Sequence, residues 1–198
     1  PLGSGFGSSA ALCLCLLDAA AEEKGISLTP AERIAKATEL ESIFHGRSSG
    51  LDPTVVALRK PIRFSMKQGP QALSWELDGF GFVLATSPEL RQTSEAVAKV
   101  RRFTKENPKV FKEKVKTVNH LVGIVEGLLT MSSINVNKSS LQQARLLGQQ
   151  LDLNHSLLQD VGVSTSHLDR LVQKARDYGA FGAKLSGAGL GGSILAFA

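Results

Sequence analysis

The chain has 198 residues, of which 42% are hydrophobic and 21% charged, and its formal net charge is +5. This balance is that of an ordinary globular protein with one domain or two small ones. No apolar run reaches the roughly 18 residues that a membrane span requires, so composition excludes a chain that crosses a membrane by such a run.

The stretch at residues 1–11, PLGSGFGSSAA, combines glycines at every second position with two serines and the start of an alanine-rich helix. Glycine lets a backbone approach a ligand closely, and a helix N-terminus offers free N–H groups and a positive dipole end. These features favour a phosphate site, in which serine hydroxyls could also bind Mg²⁺. A flexible linker, a cloning remnant and a glycine turn that only packs closely stay open. No Gly-Lys-Ser/Thr follows, which excludes a P-loop.

Residues 10–23 predict a buried helix that ends at Lys24 and Gly25, a basic last turn followed by a closing glycine. The helix carries Cys13 and Cys15, which point to different faces and cannot form a disulfide with each other. We therefore expect reduced, buried cysteines. Together with the absence of a targeting signal, unpaired cysteines favour a cytoplasmic location.

A second helix starts at Thr29, Pro30 and Glu32. Threonine caps, proline suits the first helical position and glutamate completes a capping box. The helix is expected to run to about residue 45. Glu41 and His45 are four residues apart and share a face near its end. Glu41 is the natural helical partner of His45, which favours a structural role for this histidine over that of a catalytic base.

A polar loop at residues 46–53 precedes a strand-rich stretch. Its turn residues predict that Asp52 lies at a loop-to-strand junction, and composition alone explains this aspartate best as a turn or cap residue. Short apolar or alternating segments separated by turn signals predict the strands. Asp78 and Gly79 have the composition of a hairpin turn. The predicted strands cover residues 54–58, 62–66, 72–77 and 80–86.

Beyond residue 93 the hydrophobic period becomes helical. Ser140 and Gln143 form another capping box, and Gly179 ends the last helix. The C-terminus predicts a strand, a glycine-rich loop and a final strand. The glycines indicate close approach of the backbone to another group, with a wide hairpin loop as the simpler alternative. The predicted helices cover residues 93–106, 108–131, 140–151 and 166–178.

Much of the positive charge lies between residues 99 and 116. A nucleic-acid surface is one hypothesis, but glutamates dilute the run and no aromatic series accompanies it. A solvated helix face explains the charge better, and attraction of small anionic substrates is compatible with it. We therefore expect no nucleic-acid partner and no membrane partner.

Three segments, at residues 1–11, 41–52 and 184–192, occur in the order in which similar motifs occur in one family. Together they resemble the GHMP small-molecule kinases. Residues 1–11 are similar to the phosphate loop of that family, and KLSGAGLGG at residues 184–192 to its C-terminal glycine motif. Between them, ESIFHGRSSGLD at residues 41–52 resembles the segment Glu-x-x-x-His-Gly-x-Pro-Ser-Gly-x-Asp of the mevalonate kinase branch. NHSLL at residues 154–158 and GVS at residues 162–164 are similar to the same branch. Each glycine loop alone is a weak signal, whereas the ordered triple is specific.

The resemblance implies an α+β fold in two lobes. Residues 1–87 would be the remainder of the N-terminal, ATP-binding domain of the family, and residues 88–198 a helix-rich, ferredoxin-like C-terminal domain. The activity that it implies is ATP-dependent phosphorylation of a primary hydroxyl, that of mevalonate, to give 5-phosphomevalonate. The implied cofactors are ATP and Mg²⁺.

The resemblance also assigns roles to positions of this sequence. Ser9 and Glu41 would hold Mg²⁺, which suits a hard cation that prefers oxygen ligands. Asp52 would stand beside the acceptor hydroxyl as a base or an orienting group, which an aspartate of ordinary pKa can do. Ser49 and Thr93 would support the substrate site. The positions that would wrap or face the ATP phosphates are Gly3, Gly5, Gly7, Ser8, Ser9, Gly187 and Gly189.

The chain departs from the family pattern at two positions. Ser48 stands at the usual proline, which makes the loop less rigid, and Leu190 replaces a glycine, which restricts positive φ. The family has a substantial part before the phosphate loop, so we expect the chain to be the central and C-terminal portion of a kinase. Other hypotheses are a GHMP kinase for phosphomevalonate or a sugar, a non-catalytic nucleotide-binding remnant and a basic nucleic-acid binder. The oligomeric state stays open, with a homodimer as one option.

Overall fold

The computed structural model describes residues 7–45, 48–73, 79–89, 93–131 and 140–198. Its contacts divide the chain into a front unit, Phe6–Ser74, and a back unit that contains Trp75–Ala198. Helices and small antiparallel sheets give the predicted α+β class. The division into family domains at residues 87 and 88 stays a prediction. Within the described ranges, no helix is long and apolar enough to cross a membrane.

The front unit packs three helices together beside a two-stranded antiparallel sheet. Its helical core is formed by Cys13, Leu14 and Ala37, which are almost completely buried. Asp18 on the first helix and Arg33 on the second form a two-pronged ion pair that fixes their pairing. The elements are α1 (Ser8–Glu23), α2 (Pro30–His45), α3 (Leu51–Leu58), β1 (Ile62–Ser65) and β2 (Gly69–Ala72).

Local signals in the sequence set the ends of α1 and α2 as predicted. Gly25 follows α1 with φ 62°, the left-handed conformation that closes a helix, and its N–H donates to the Glu22 carbonyl at 3.1 Å. At the start of α2, the Thr29 N–H donates to Glu32 Oε2 at 2.9 Å. The Glu32 N–H donates back to Thr29 Oγ1 at 3.3 Å, which completes the predicted capping box.

The expectation of a strand at residues 54–58 is wrong, because these residues lie in α3. Asp52 therefore stands in the first turn of a helix and not at a junction with a strand. The β-branched residues Thr54 and Val55 suggested a strand, but local contacts prevail. Pro53 is tolerated in a first helical turn, and the buried Thr54 donates its hydroxyl to the Gly50 carbonyl at 2.6 Å.

In the part of the back unit that the structure describes, a three-stranded antiparallel sheet accompanies four helices. Its strands are β3 (Phe82–Thr86), β4 (Gly182–Ser186) and β5 (Ser193–Phe197). Their order in the sheet is β3-β5-β4, so the C-terminal strand is central and pairs with both others. Apolar residues of β4 and β5 pack with residues of three helices into the core, which contains Leu168, Val172, Leu185 and Ile194. The elements are β3 (Phe82–Thr86), α4 (Thr93–Glu106), α5 (Pro108–Met131), α6 (Ser140–Asp160), α7 (Ser166–Asp177), β4 (Gly182–Ser186) and β5 (Ser193–Phe197).

Two glycines allow α6 to lie directly against β4. A Cβ added at Gly148 would stand 2.2 Å from the Phe181 carbonyl oxygen. A Cβ added at Gly182 would stand 1.9 Å from the Gly148 carbonyl oxygen. Real Cβ atoms do not approach backbone atoms so closely, so this helix–strand contact requires glycine on both sides.

Other expectations differ from the structure in detail. The helix predicted at residues 140–151 continues to Asp160. The strand β2 ends at Ala72 and Leu73 is not in a strand, while residues 74–78, which hold most of the strand predicted at 72–77 and the predicted hairpin aspartate, lie outside the described residues. The strand after that turn pairs with β5. Cys13 is buried as expected, but Cys15 is exposed, and both thiols are free.

Candidate active site

The two predicted metal ligands of the front unit meet in the structure. The Ser9 hydroxyl, in the first turn of α1, donates to Glu41 Oε1 in the last turns of α2 at 3.1 Å. Glu41 is only 5% exposed, although it is a carboxylate. A buried carboxylate is stable only where hydrogen-bond donors meet its oxygens, so this contact is part of what holds Glu41 inside.

The start of α1 has the form that the phosphate-loop hypothesis requires. Gly7 is the N-cap residue, with φ 72°, a conformation that costs glycine nothing. A Cβ at this position would come within 3.3 Å of a Val56 methyl group. Ser8 and Ser9 then occupy the first helical turn, where backbone N–H groups lack helical acceptors and the dipole favours an anion. Gly3 and Gly5 lie outside the described residues.

Glu41 also affects the thiol of Cys13. Burial first, and then the negative charge of Glu41, raise the pKa of Cys13. The thiol therefore stays protonated near neutral pH and is a poor nucleophile. This buried cysteine serves the packing of α1.

The loop between α2 and α3 returns the chain to Glu41. The Ser48 hydroxyl donates to Glu41 Oε2 at 2.5 Å and accepts the Gly50 N–H at 3.1 Å. The Ser49 hydroxyl accepts the Leu51 N–H at 3.3 Å, and Gly50 caps α3 with φ 79°. Asp52, the predicted base, follows two residues later in the first turn of α3. The residues just before the helix that carries Asp52 thus contact the predicted metal ligand.

The donor set around Glu41 fits a magnesium ion. A carboxylate oxygen and a serine hydroxyl 3.1 Å apart are two hard oxygen donors, and Mg²⁺ commonly takes only one or two protein ligands besides phosphates and waters. Within the described ranges, no group of three or more His, Cys, Asp or Glu side chains is placed to hold a metal ion. The described donors thus suit a cation that arrives with phosphate oxygens better than one held by protein side chains alone.

The C-terminal glycine loop of the back unit joins β4 to β5. Gly187, Gly189, Gly191 and Gly192 all have positive φ. A Cβ at Gly189 would lie 2.2 Å from the Val163 carbonyl oxygen, so glycine is required there by close packing. Leu190 also has positive φ, at 52°, and its N–H donates to the Val163 carbonyl at 2.8 Å. The sequence departure at Leu190 therefore restricts a backbone that does adopt the left-handed conformation.

A buried histidine supports the base of this loop. His155 Nδ1 accepts the Leu185 N–H at 3.2 Å, so the ring carries its proton on Nε2, which lies 3.1 Å from Asp169 Oδ1. The Ser164 hydroxyl donates to the same carboxylate oxygen at 2.5 Å. Burial lowers the pKa of His155, and the charge of Asp169 opposes this only in part. The network joins α6, α7 and β4.

Thr93 is the first residue of α4 and is exposed. Upstream of it, Glu89 accepts the Thr165 hydroxyl at 2.6 Å and lies 2.7 Å from His167 Nδ1. The Thr165 bond is the main reason that the pKa of Glu89 is lowered. These contacts hold Glu89 against the start of α7.

Comparison with known proteins identifies the family of the chain. The model of the GHMP kinases N terminal domain matches residues 1–60, and that of the GHMP kinases C terminal region matches residues 137–198. The chain belongs to the GHMP kinase family. The mevalonate kinases of Thermococcus sibiricus and Pyrococcus furiosus are 33% and 34% identical to it over 100% of the chain. The chain spans 57% of the length of each of these relatives.

A solved structure agrees with these matches. The crystal structure of L. major mevalonate kinase in complex with R-mevalonate superposes with a TM-score of 0.83 at 28% identity. The superposition covers 97% of this chain and 56% of that one. The GHMP kinase fold and the resemblance to mevalonate kinases are therefore confirmed.

The site residues that the GHMP kinase motifs predict lie in both units of the chain. In the front unit, Ser9 and Glu41 meet directly, while Ser49 and Asp52 lie on the loop and helix start that contact Glu41 through Ser48. In the back unit, Gly187 and Gly189 form a tight loop, and Thr93 begins a helix. The roles of all these residues stay predictions. Sequence reasoning identified Ser48 only as a departure from the family, because its contact with Glu41 depends on how the loop folds back.

Proposed function

We propose that this GHMP kinase phosphorylates the primary hydroxyl of mevalonate with ATP and Mg²⁺, giving 5-phosphomevalonate. The observation that carries the proposal is the contact of Ser9 with Glu41 at the N-terminus of α1, 3.1 Å across. It joins a hydroxyl of the phosphate-loop motif to a carboxylate of the mevalonate kinase motif, residues that are 32 positions apart in the chain. The identity to mevalonate kinases over the whole chain supports the choice of acceptor.

The front unit can supply most of what phosphoryl transfer needs, which is positioning and neutralisation of charge. The first amides of α1, at Gly7, Ser8 and Ser9, would donate to ATP phosphate oxygens at the positive end of the helix dipole. Ser9 and Glu41 would hold Mg²⁺. When bound, this ion would bridge phosphate oxygens and offset the negative charge that builds up during transfer.

Asp52 would stand beside the acceptor hydroxyl and orient it or accept its proton as the new O–P bond forms. Its place in the first turn of α3 suits a carboxylate, because the dipole of the helix favours negative charge there. Ser49, at the same helix start, would support the acceptor. By the family motifs, Thr93 would bind the acceptor, and Gly187 and Gly189 would bind the nucleotide.

The proposal is tested by offering the complete gene product a panel of acceptors with MgATP. ADP release is followed in a coupled assay with mevalonate, phosphomevalonate, galactose and homoserine. We expect mevalonate to give the highest kcat/KM by at least about 10-fold, a ratio that corresponds to about 1.4 kcal/mol in transition-state binding. A preference for another acceptor would assign the chain to another GHMP activity. Saturable ATP binding without turnover on any acceptor would favour the nucleotide-binding remnant.

A further inference from the structure

Ser48 makes three contacts in which its hydroxyl or its backbone N–H takes part. The hydroxyl donates to Glu41 Oε2 at 2.5 Å and accepts the Gly50 N–H at 3.1 Å. The backbone N–H of Ser48 donates to Ser42 Oγ at 3.1 Å. The family usually has proline at this position, and proline has neither a hydroxyl nor an N–H. Serine here is thus more than a flexible substitute for a rigid residue, because it adds bonds that proline cannot make.

The contact with Ser48 divides the two oxygens of the Glu41 carboxylate between two partners. Oε1 receives the Ser9 hydroxyl, and Oε2 receives the Ser48 hydroxyl. A carboxylate held at both oxygens keeps a fixed plane, and a buried one gains most from such donors. Oε1 is then the oxygen presented beside Ser9, where the proposed cation would be shared. Partners of this kind, one shell beyond a metal, orient the ligand and tune its affinity.

The same hydroxyl also reaches the helix that carries the proposed base. Gly50, whose N–H it accepts, is the N-cap of α3, and Asp52 lies two residues beyond. One hydroxyl therefore connects the carboxylate of the proposed metal site to the start of the helix with Asp52. A change at Ser48 would therefore affect both Glu41 and the N-cap of the helix with Asp52, because Glu41 and the Gly50 N–H are hydrogen bonded to the same hydroxyl.

We propose that Ser48 is a positioning residue that aims Glu41 at a divalent cation in the nucleotide complex. The inference rests on the proposed function for the role of Glu41, but it concerns cation binding and can be measured without turnover. It predicts that the hydroxyl of Ser48, and not the rigidity of its loop, determines the affinity for the cation. The chain offers variants that separate these two effects.

The test is a titration of the ADP complex of the complete gene product with Mn²⁺, in which electron paramagnetic resonance measures free Mn²⁺. Ser48→Ala and Ser48→Pro remove the hydroxyl, and we expect either to weaken Mn²⁺ binding about 10-fold, the lower end of such effects. Ser48→Thr keeps the hydroxyl and should bind Mn²⁺ nearly as tightly as the wild type. Ser42→Ala is the matched control, because it removes the acceptor of the Ser48 N–H while leaving the Glu41 contact in place.

Three results would each overturn the role of Ser48. The first is an unchanged Mn²⁺ affinity in Ser48→Ala, and the second is a higher Mn²⁺ affinity in Ser48→Pro. The third is a loss of Mn²⁺ affinity in Ser42→Ala as large as that in Ser48→Ala. If Ser48→Ala does not fold, the comparison of Ser48→Thr with Ser48→Pro decides by the same criterion. A wild type that does not bind Mn²⁺ with ADP overturns the metal site and this inference together. A wild type that binds Mn²⁺ but does not phosphorylate mevalonate overturns only the proposed acceptor.

Discussion

Ser9 lies in the first turn of α1 and Glu41 near the end of α2, and the Ser9 hydroxyl donates to the Glu41 carboxylate at 3.1 Å. The two residues lie on different helices and 32 positions apart in the chain, so the structure of each helix alone does not place them close together. The packing of α1 against α2 around Cys13, Leu14 and Ala37 brings them together. The core of the front unit thus builds the pair of oxygen donors on which the proposed reaction depends.

Replacing Glu41 by glutamine is expected to raise the Mg²⁺ concentration needed for half-maximal activity at least about 10-fold. The amide keeps the size of the side chain but loses the charge that attracts a hard cation. Glu39→Gln is the control, because Glu39 is an exposed carboxylate on the same helix. A Mg²⁺ titration at saturating ATP measures the effect. An identical Mg²⁺ dependence in Glu41→Gln and the wild type would exclude Glu41 as a ligand.

Replacing Asp52 by asparagine is expected to lower kcat by about 10²–10⁴-fold, the usual contribution of a positioned acid or base. Nucleotide binding should be nearly unchanged, because the amides proposed for the phosphates belong to α1 and not to α3. Single-turnover kinetics and fluorescence titration with a labelled ATP analogue measure the two effects separately. An Asp52→Asn enzyme with wild-type kcat would rule out the proposed role.

The sequence motifs single out Ser9 and Glu41, which the structure brings into contact, whereas the contacts of Ser48 could not be predicted. Glu41 and Ser9 belong to motifs in which residue type and spacing carry the information. The bond from Ser48 to Glu41 depends on a loop that turns back on α2, and neither residue type nor spacing encodes that return. The site role of Asp52 stays a prediction, but its predicted element is wrong, because β-branched Thr54 and Val55 mask a helix that Gly50 and Pro53 begin.

Two glycine-to-alanine substitutions, one at the contact of α6 with β4 and one on α5, are expected to change the free energy of unfolding in opposite directions. Gly148→Ala would place a Cβ 2.2 Å from the Phe181 carbonyl oxygen, so we expect it to lower the free energy of unfolding by about 1–3 kcal/mol, as overpacking does. Gly123→Ala, on α5, adds a Cβ that meets no atom within 4 Å. Since alanine favours helix over glycine, it should raise stability by about 0.5–1 kcal/mol. Urea unfolding of both variants measures the difference.

The result that would contradict this packing is a Gly148→Ala protein as stable as the wild type. Gly123→Ala reports whether the assay resolves changes of this size. If both variants were stabilised alike, helix propensity alone would explain them, and the close approach of α6 to β4 would be wrong.

The buried histidine predicts a pH dependence of stability. The pKa of His155 is lowered in the folded protein, mainly by burial, from an unfolded value of about 6.5. Between the two values the unfolded chain binds more protons, so the free energy of unfolding falls as the pH is lowered below about 6.5. Protonation of Nδ1 would also break its bond with the Leu185 N–H.

The measurement is urea unfolding of the wild type and of His155→Gln between pH 5 and 8. Asp169, Arg176 and Lys184 also act on His155, so the difference between the two proteins, and not the wild-type curve alone, isolates the histidine. We expect the advantage of the wild type over His155→Gln to shrink as the pH falls. An advantage that stays constant or grows toward acid pH would contradict a neutral, buried His155.

Hydrophobic periodicity predicted the helices of the back unit well. Contacts between residues that are distant in the chain could not be predicted from it. The bounds of α4 and α5 agree with the predicted residues 93–106 and 108–131, because Pro108 and the apolar period mark them locally. The pairing of β3 with β5 joins residues more than a hundred positions apart, which no turn signal encodes. The requirement for glycine at Gly148 and Gly182 likewise depends on a contact formed only in the fold.

The most direct test of the central claim is transfer of the labelled γ-phosphate from ATP to mevalonate by the complete gene product. The wild type should form 5-phosphomevalonate, identified by ³¹P NMR as a primary phosphate ester, in a reaction that requires Mg²⁺. Asp52→Asn should bind ATP but form almost none. Transfer that proceeds equally well in Asp52→Asn, or a wild type that phosphorylates another acceptor in preference to mevalonate, would contradict the account.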